Sequence, residues 1–177
     1  MYMQRWNLYT PELHMKLFRP IERDSLNSQT KFWKDVMLAL AAEGNEFRCI
    51  YSGEILSPEK ISIDHFLPWP FIGHDENWNL IPTTASVNSS KSDNLPHEYY
   101  FSSFMDRQFI ALNVAKKNFS GSRFDVLFES YAIRLSIGFD EVTDAGRVRF
   151  LNAYEKTMQP LFMLARNQKF REGWRWS

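Results

Sequence analysis

The chain has 177 residues, 44% of them apolar and 24% charged, with 21 basic against 21 acidic side chains. This is the composition of a soluble globular protein with a real core, and it excludes a disordered chain. The neutral balance argues against binding nucleic acid through bulk charge alone. A single cysteine, Cys49, excludes an intramolecular disulfide framework and a cysteine-based structural zinc site.

The longest aliphatic run, residues 37–42, is too short to cross a bilayer, and the N-terminus lacks the pattern of a secretory signal. With the lone cysteine, these features point to a reducing, cytoplasmic setting and no membrane partner. Residues 1–45 are expected to form an N-terminal helical segment. Within it Leu13, Leu17 and Phe18 suit a short helix between Pro11 and Pro20. Ser28 is the expected N-cap of a second helix, which carries Phe32, Trp33, Val36, Met37 and Leu40 at helical spacing and stops at Gly44.

The pattern changes at residues 46–96. Phe47, Cys49 and Tyr51 alternate with Arg48 and Ile50, Ser52-Gly53 marks a turn, and Ile61-Ser62-Ile63 leads into Asp64-His65. Short strands and turns are expected, with an ordered loop over residues 71–77 and a second strand near residues 78–82. Thr83 or Thr84 then caps a helix that runs to about Ser92, before Pro96. From residue 97 to 177 the pattern is helical. Phe101, Phe104, Met105, Phe109 and Leu112 fit one helix, and Phe124, Leu127, Phe128, Tyr131 and Leu135 a second. Val148, Leu151, Met158, Leu161 and Leu164 fit a third, bent before Pro160. Its basic end holds seven Lys or Arg against two Glu from Arg147 onward, which reads equally as a solvated face or a phosphate contact.

The stretch from Ser62 to Pro96 carries the chemistry. It sets Asp64 beside His65, then Asn79, then Asn88 and Lys91. Phosphodiester hydrolysis needs a nucleophilic water, a cation on the phosphate oxygens and in-line geometry. A histidine accepts the water proton near neutral pH, and a carboxylate with an amide oxygen suits Mg²⁺ or Mn²⁺. Neighbours in a flat strand point to opposite faces. One site can use both Asp64 and His65 if the strand ends or twists there, or if the histidine reaches the water from another side. Asn88 and Lys91, three apart on the expected helix, can face the hairpin together.

With Asp64-His65, Asn79, Asn88 and the run Lys91-Ser92-Asp93-Asn94-Leu95-Pro96, the segment resembles the HNH endonuclease family. It is especially similar to the HNH domains of RNA-guided CRISPR effectors. The resemblance implies an α+β protein in which a ββα-metal module, two short antiparallel strands and a helix around one divalent ion, sits between flanking helices. It also implies Asp64 and Asn88 as metal ligands and His65 as the general base. Asn79 would bond backbone in the loop between the strands and so orient His65, and Lys91 would contact a phosphate or steady the helix. Mg²⁺ is the expected cofactor, with Mn²⁺ a substitute, and DNA the expected substrate. Many relatives bind a structural zinc through two CxxC pairs. Only Cys49 of such a set is present, so no zinc is expected and packing by Phe47, Tyr51, Phe66, Trp69 and Trp78 must replace it.

The remaining candidates read more simply as structural. His74, Asp75 and Glu76 read as solvated loop residues, His14 and His97 as structural, and Cys49 as a packed thiol. Trp174 and Trp176, among Arg171 and Arg175, suit stacking on bases or packing on a partner or the core. Two functions stay open. One is a metal-dependent DNA endonuclease, by analogy with short bacterial HNH proteins a defence effector that a protein partner aims or restrains. The other is a non-catalytic nucleic-acid-binding or assembly subunit that retains the fold.

Overall fold

The computed structural model describes residues 25–177. The helix expected around Leu13, Leu17 and Phe18, and His14 with it, lies outside the described residues. Elements are numbered among the described residues. Helix α1 (Asn27–Ala42) buries Phe32, Trp33, Val36, Met37 and Leu40 along one face, the stripe that a 3.6-residue period requires. Its N-cap position is Leu26, with no side-chain cap. Ser28, the expected cap, lies inside the first turn and its hydroxyl bonds Gln29 Oε1 at 2.8 Å. Apolar packing, not capping chemistry, sets where α1 starts.

The strands expected around Phe47 and Tyr51 reduce to one antiparallel bridge between Arg48 and Ile55. Cys49 N donates to Glu54 O and Leu56 N to Phe47 O, both at 2.9 Å, and the chain then enters a 3₁₀ turn at Pro58–Lys60. Strand β1 (Ser62–His65) pairs antiparallel with β2 (Leu80–Thr83), with Ile63 opposite Pro82, Asp64 opposite Ile81 and His65 opposite Leu80. Each strand of a two-stranded sheet has an outer edge, so Pro82 is tolerated. Between the strands lie one turn of helix, α2 (Trp69–Ile72), and a 3₁₀ turn, Asn77–Asn79. That 3₁₀ turn starts β2 two residues later than expected. Gly73 closes α2 at φ 72°, a backbone state that suits glycine. Helix α3 (Ala85–Lys91) follows, its first turn capped by Thr84 Oγ1, which accepts from Val87 N at 3.3 Å.

Helices α4 (Tyr100–Asn118), α5 (Gly121–Leu135) and α6 (Arg147–Asn167) complete the fold. Helix α3 packs on β1, α1 on both strands, and α4 on β2, α1 and α6. One continuous apolar cluster runs from α1 through the hairpin to α6. Phe66, just past β1, stacks on Phe104 of α4 with ring centroids 4.1 Å apart, a contact type that contributes about 1 kcal/mol beyond its buried area.

Helix α6 corrects the expected face. Phe150, Tyr154, Met158, Phe162 and Ala165 are buried, whereas Val148 is 69% exposed and Leu164 37%. Of the expected set only Met158 is buried. Aromatic rings bury more surface than aliphatic chains, and they decide how the helix is rotated. The helix runs through Pro160. Beyond α6 the chain returns as a strap. Leu95 N donates to Arg171 O, Trp174 N to Leu95 O and His97 N to Trp174 O. Among the described residues no helix is long and apolar enough to cross a membrane.

Candidate active site

Strand β1 ends at His65. Asp64 and His65 therefore need not oppose each other across a flat strand, and both line one open cleft of about 550 Å³. Asn88, Ser89, Ser92 and Asp93 line the same cleft from α3 and its C-terminal turn. Asn88 donates from Nδ2 to Ser62 Oγ at 2.7 Å and to Ile63 O at 3.2 Å. Because the amide nitrogen is engaged with β1, Oδ1 is the atom Asn88 has to offer a cation.

Asp64 is 2% exposed and both of its oxygens are engaged. Lys91 Nζ donates to Oδ1 at 3.0 Å, and the Tyr51 hydroxyl donates to Oδ2 at 2.7 Å. Lys91 is fully buried and also donates to His65 O at 2.6 Å. Its ammonium ties α3 to the end of β1 and does not project into solvent. A charge buried this deeply is tolerable only because it is paired and hydrogen-bonded. Asn79, also fully buried, clamps the chain after His65, accepting from Leu67 N and donating to Leu67 O, both at 2.9 Å.

Two participants were missed by sequence reasoning. Tyr51 reads as a packing residue, yet its hydroxyl orients Asp64. Burial first, and then the adjacent Asp64 charge, holds that phenol well above its ordinary pKa, so it stays a donor. Asp75 reads as a solvated loop residue, yet its Oδ1 lies 2.7 Å from His65 Nε2, and the two side chains are 17% and 6% exposed. No spacing rule links a strand to the middle of a loop. A carboxylate ten residues after a histidine is legible only once the loop folds back.

The neighbouring candidates separate. His74 Nδ1 accepts from Glu76 N at 3.3 Å, and its ring lies 5.1 Å from that of Trp78. Burial first, and then the Arg134 charge, lowers its pKa to about 3. Glu76 Oε2 accepts from the Trp78 indole. His74 and Glu76 thus belong to the wall of the loop. Cys49 is buried with Sγ 3.1 Å from Thr83 Oγ1. Trp174 packs edge-on to Tyr51 at 5.3 Å and donates from Nε1 to Ser90 Oγ at 3.4 Å. Three of the seven basic residues from Arg147 onward are ion-paired: Arg147 with Asp106, Arg149 with Glu141, and Arg166 with Glu98 and Glu172.

A two-stranded hairpin crossed by a short helix, with an Asp-His end and an Asn on the helix, is the frame of a ββα nuclease. Residues 49–97 match the family model described as HNH endonuclease. This segment belongs to the HNH endonuclease family. The comparison with curated proteins gives no match. HNH domains act on nucleic acid and use a divalent metal, so both are expected of this HNH module.

The residues present suit such an ion. Among the described residues no three His, Cys, Asp or Glu side chains gather as a metal centre. A site of one carboxylate and one amide oxygen, completed by water and phosphate, is the hard-donor set that Mg²⁺ accepts. Each Asp64 oxygen has a second lone pair beyond its present hydrogen bond.

Proposed function

We propose that the protein is a metal-dependent endonuclease that hydrolyses DNA phosphodiester bonds to leave 5′-phosphate and 3′-hydroxyl ends. The observation that carries this reading is the convergence of Asp64, His65 and Asn88 on one cleft. His65 is the general base and takes a proton from the attacking water. Asp64 and Asn88 hold one divalent cation, Mg²⁺ by preference and Mn²⁺ as a substitute. When bound, that cation polarises the scissile phosphate and stabilises the leaving oxygen. Asn79 and Lys91 keep the end of β1 in place, Asn79 through Leu67 and Lys91 through Asp64 and the His65 carbonyl.

DNA is the favoured substrate because the ordered set from Asp64 to Pro96 resembles that of DNA-cutting HNH domains. A defence role, cytoplasmic and aimed or restrained by a protein partner, accords with the neutral charge and the reduced, buried Cys49. One observation favours a second reading, a non-catalytic nucleic-acid-binding or assembly subunit: Asp64 already has Lys91 and Tyr51 on its two oxygens. Plasmid nicking with Mg²⁺, Mn²⁺ and EDTA separates the two. Metal-dependent nicking that His65→Ala abolishes, with the fold kept by circular dichroism, supports the nuclease. DNA binding without nicking at every metal supports the subunit, and wild-type cutting by His65→Ala refutes the mechanism.

A further inference from the structure

We propose that Asp75 is the positioning residue of the catalytic base. Its carboxylate holds the His65 ring by Nε2 and thereby makes Nδ1 the nitrogen that accepts the proton from water. The proposal rests on the reading of His65 as the base.

The argument begins with donor and acceptor capacity. An ionised carboxylate only accepts, and a neutral imidazole has one N–H and one lone pair. With Asp75 Oδ1 at 2.7 Å, the N–H of neutral His65 belongs on Nε2. The lone pair then belongs on Nδ1, because which ring nitrogen is protonated follows from the bond the other one makes. The pair is shielded, with His65 6% and Asp75 17% exposed, so water competes weakly for the bond.

The loop that presents Asp75 is anchored by other groups. Gln29 Nε2 of α1 donates to the Asp75 carbonyl at 2.9 Å. Gly73 turns the chain out of α2. Glu76 holds the indole of Trp78, and the Tyr154 hydroxyl of α6 donates to the Trp78 carbonyl. The Asp75 carboxylate is therefore not needed to tether its own loop, and the partner it reaches is the His65 ring. Lys91 fixes the His65 carbonyl and Asn79 fixes the chain two residues on, at Leu67. Neither of those bonds is to the imidazole, whereas Asp75 bonds its Nε2 directly.

The test uses the full chain, a DNA duplex and Mg²⁺. Asp75→Ala should lower kcat about 10- to 100-fold, as loss of a group that orients an active-site ligand does, with KM for DNA unchanged. Asp75→Asn should also lose rate, because its amide N–H can bond Nε2 and move the ring proton to Nδ1. Gln29→Ala removes one of several loop anchors and spares the carboxylate, so it should lose less rate than Asp75→Ala. Ring ¹⁵N shifts of His65 should report the Nε2–H tautomer in wild type and a mixture in Asp75→Ala, independently of turnover. Wild-type kcat in both Asp75 variants, an Nδ1–H tautomer in wild type, or an equal loss in Gln29→Ala would each overturn the proposal. The parent reading fails separately: if His65→Ala still cuts, His65 is not the base. If His65→Ala is inactive while both Asp75 variants cut normally, only the role of Asp75 falls.

Discussion

His74 makes the loop beside the site sensitive to acid. Its Nε2 is sealed from solvent and lacks a hydrogen-bond partner among the described residues. Burial, reinforced by Arg134, lowers its pKa from 6.5 to about 3. The unfolded chain therefore binds the proton more readily than the native one. Stability contributed by the neutral ring is complete above pH 6.5 and falls as pH drops toward 3. By pH 5 the loss is roughly 2 kcal/mol. Urea unfolding at pH 7 and pH 5 should show it, and His74→Gln should flatten the slope; equal slopes in both proteins would refute the assignment. At this scale the sequence shows identity but not environment. Asp64, His65, Asn79, Asn88 and Lys91 stand out because they lie in one ordered run. Tyr51 and Asp75 do not, because a tyrosine among apolar residues and an aspartate in a polar loop look ordinary until each meets its partner.

Helix α3 has seven residues, too few to be stable alone. It is held by the Thr84 cap, by Asn88 on Ser62 and Ile63, and by Lys91 on Asp64 and the His65 carbonyl. Thr84→Ala removes the cap acceptor and should cost about 1 kcal/mol, seen as a Tm lower by about 2–4 °C. An unchanged Tm would mean that the tertiary bonds alone set the start of the helix. Capping was legible here because a threonine before a short run is a local signal. It was not legible for α1, where packing overrode Ser28. The rotation of α6 was also illegible, since Val148, Leu151, Met158, Leu161 and Leu164 and the buried set centred on Phe150, Tyr154 and Phe162 both satisfy a helical period. Packing against α4 and α5 selects between them.

Across the whole molecule, the strap at residues 168–177 links the last helix back to the site. It pairs with the chain at Leu95 and His97, and Trp174 packs on Tyr51, whose hydroxyl holds Asp64. Trp174→Ala should therefore reduce both stability, by about 1–3 kcal/mol, and cleavage rate, through looser support of Asp64. Urea unfolding and nicking kinetics measure the two; full stability and full rate would show that the strap is decorative. The expected alternatives for Trp174 are stacking on bases or packing on a partner or the core, and in this structure it packs within the chain, on Tyr51.

The sequence by itself determined the hairpin-and-helix module and singled out the residues proposed to carry its chemistry. Between Ser62 and Pro96 the elements are consecutive, and short-range spacing is enough to bring Asp64, His65 and Asn88 to one place. Only the tertiary structure decided what surrounds them. Tyr51 on Asp64, Asp75 on His65, Lys91 buried beneath both and Trp174 behind Tyr51 depend on where distant aromatic surface is buried. That burial is a property of the whole core, and it leaves no period or spacing in the chain to be read.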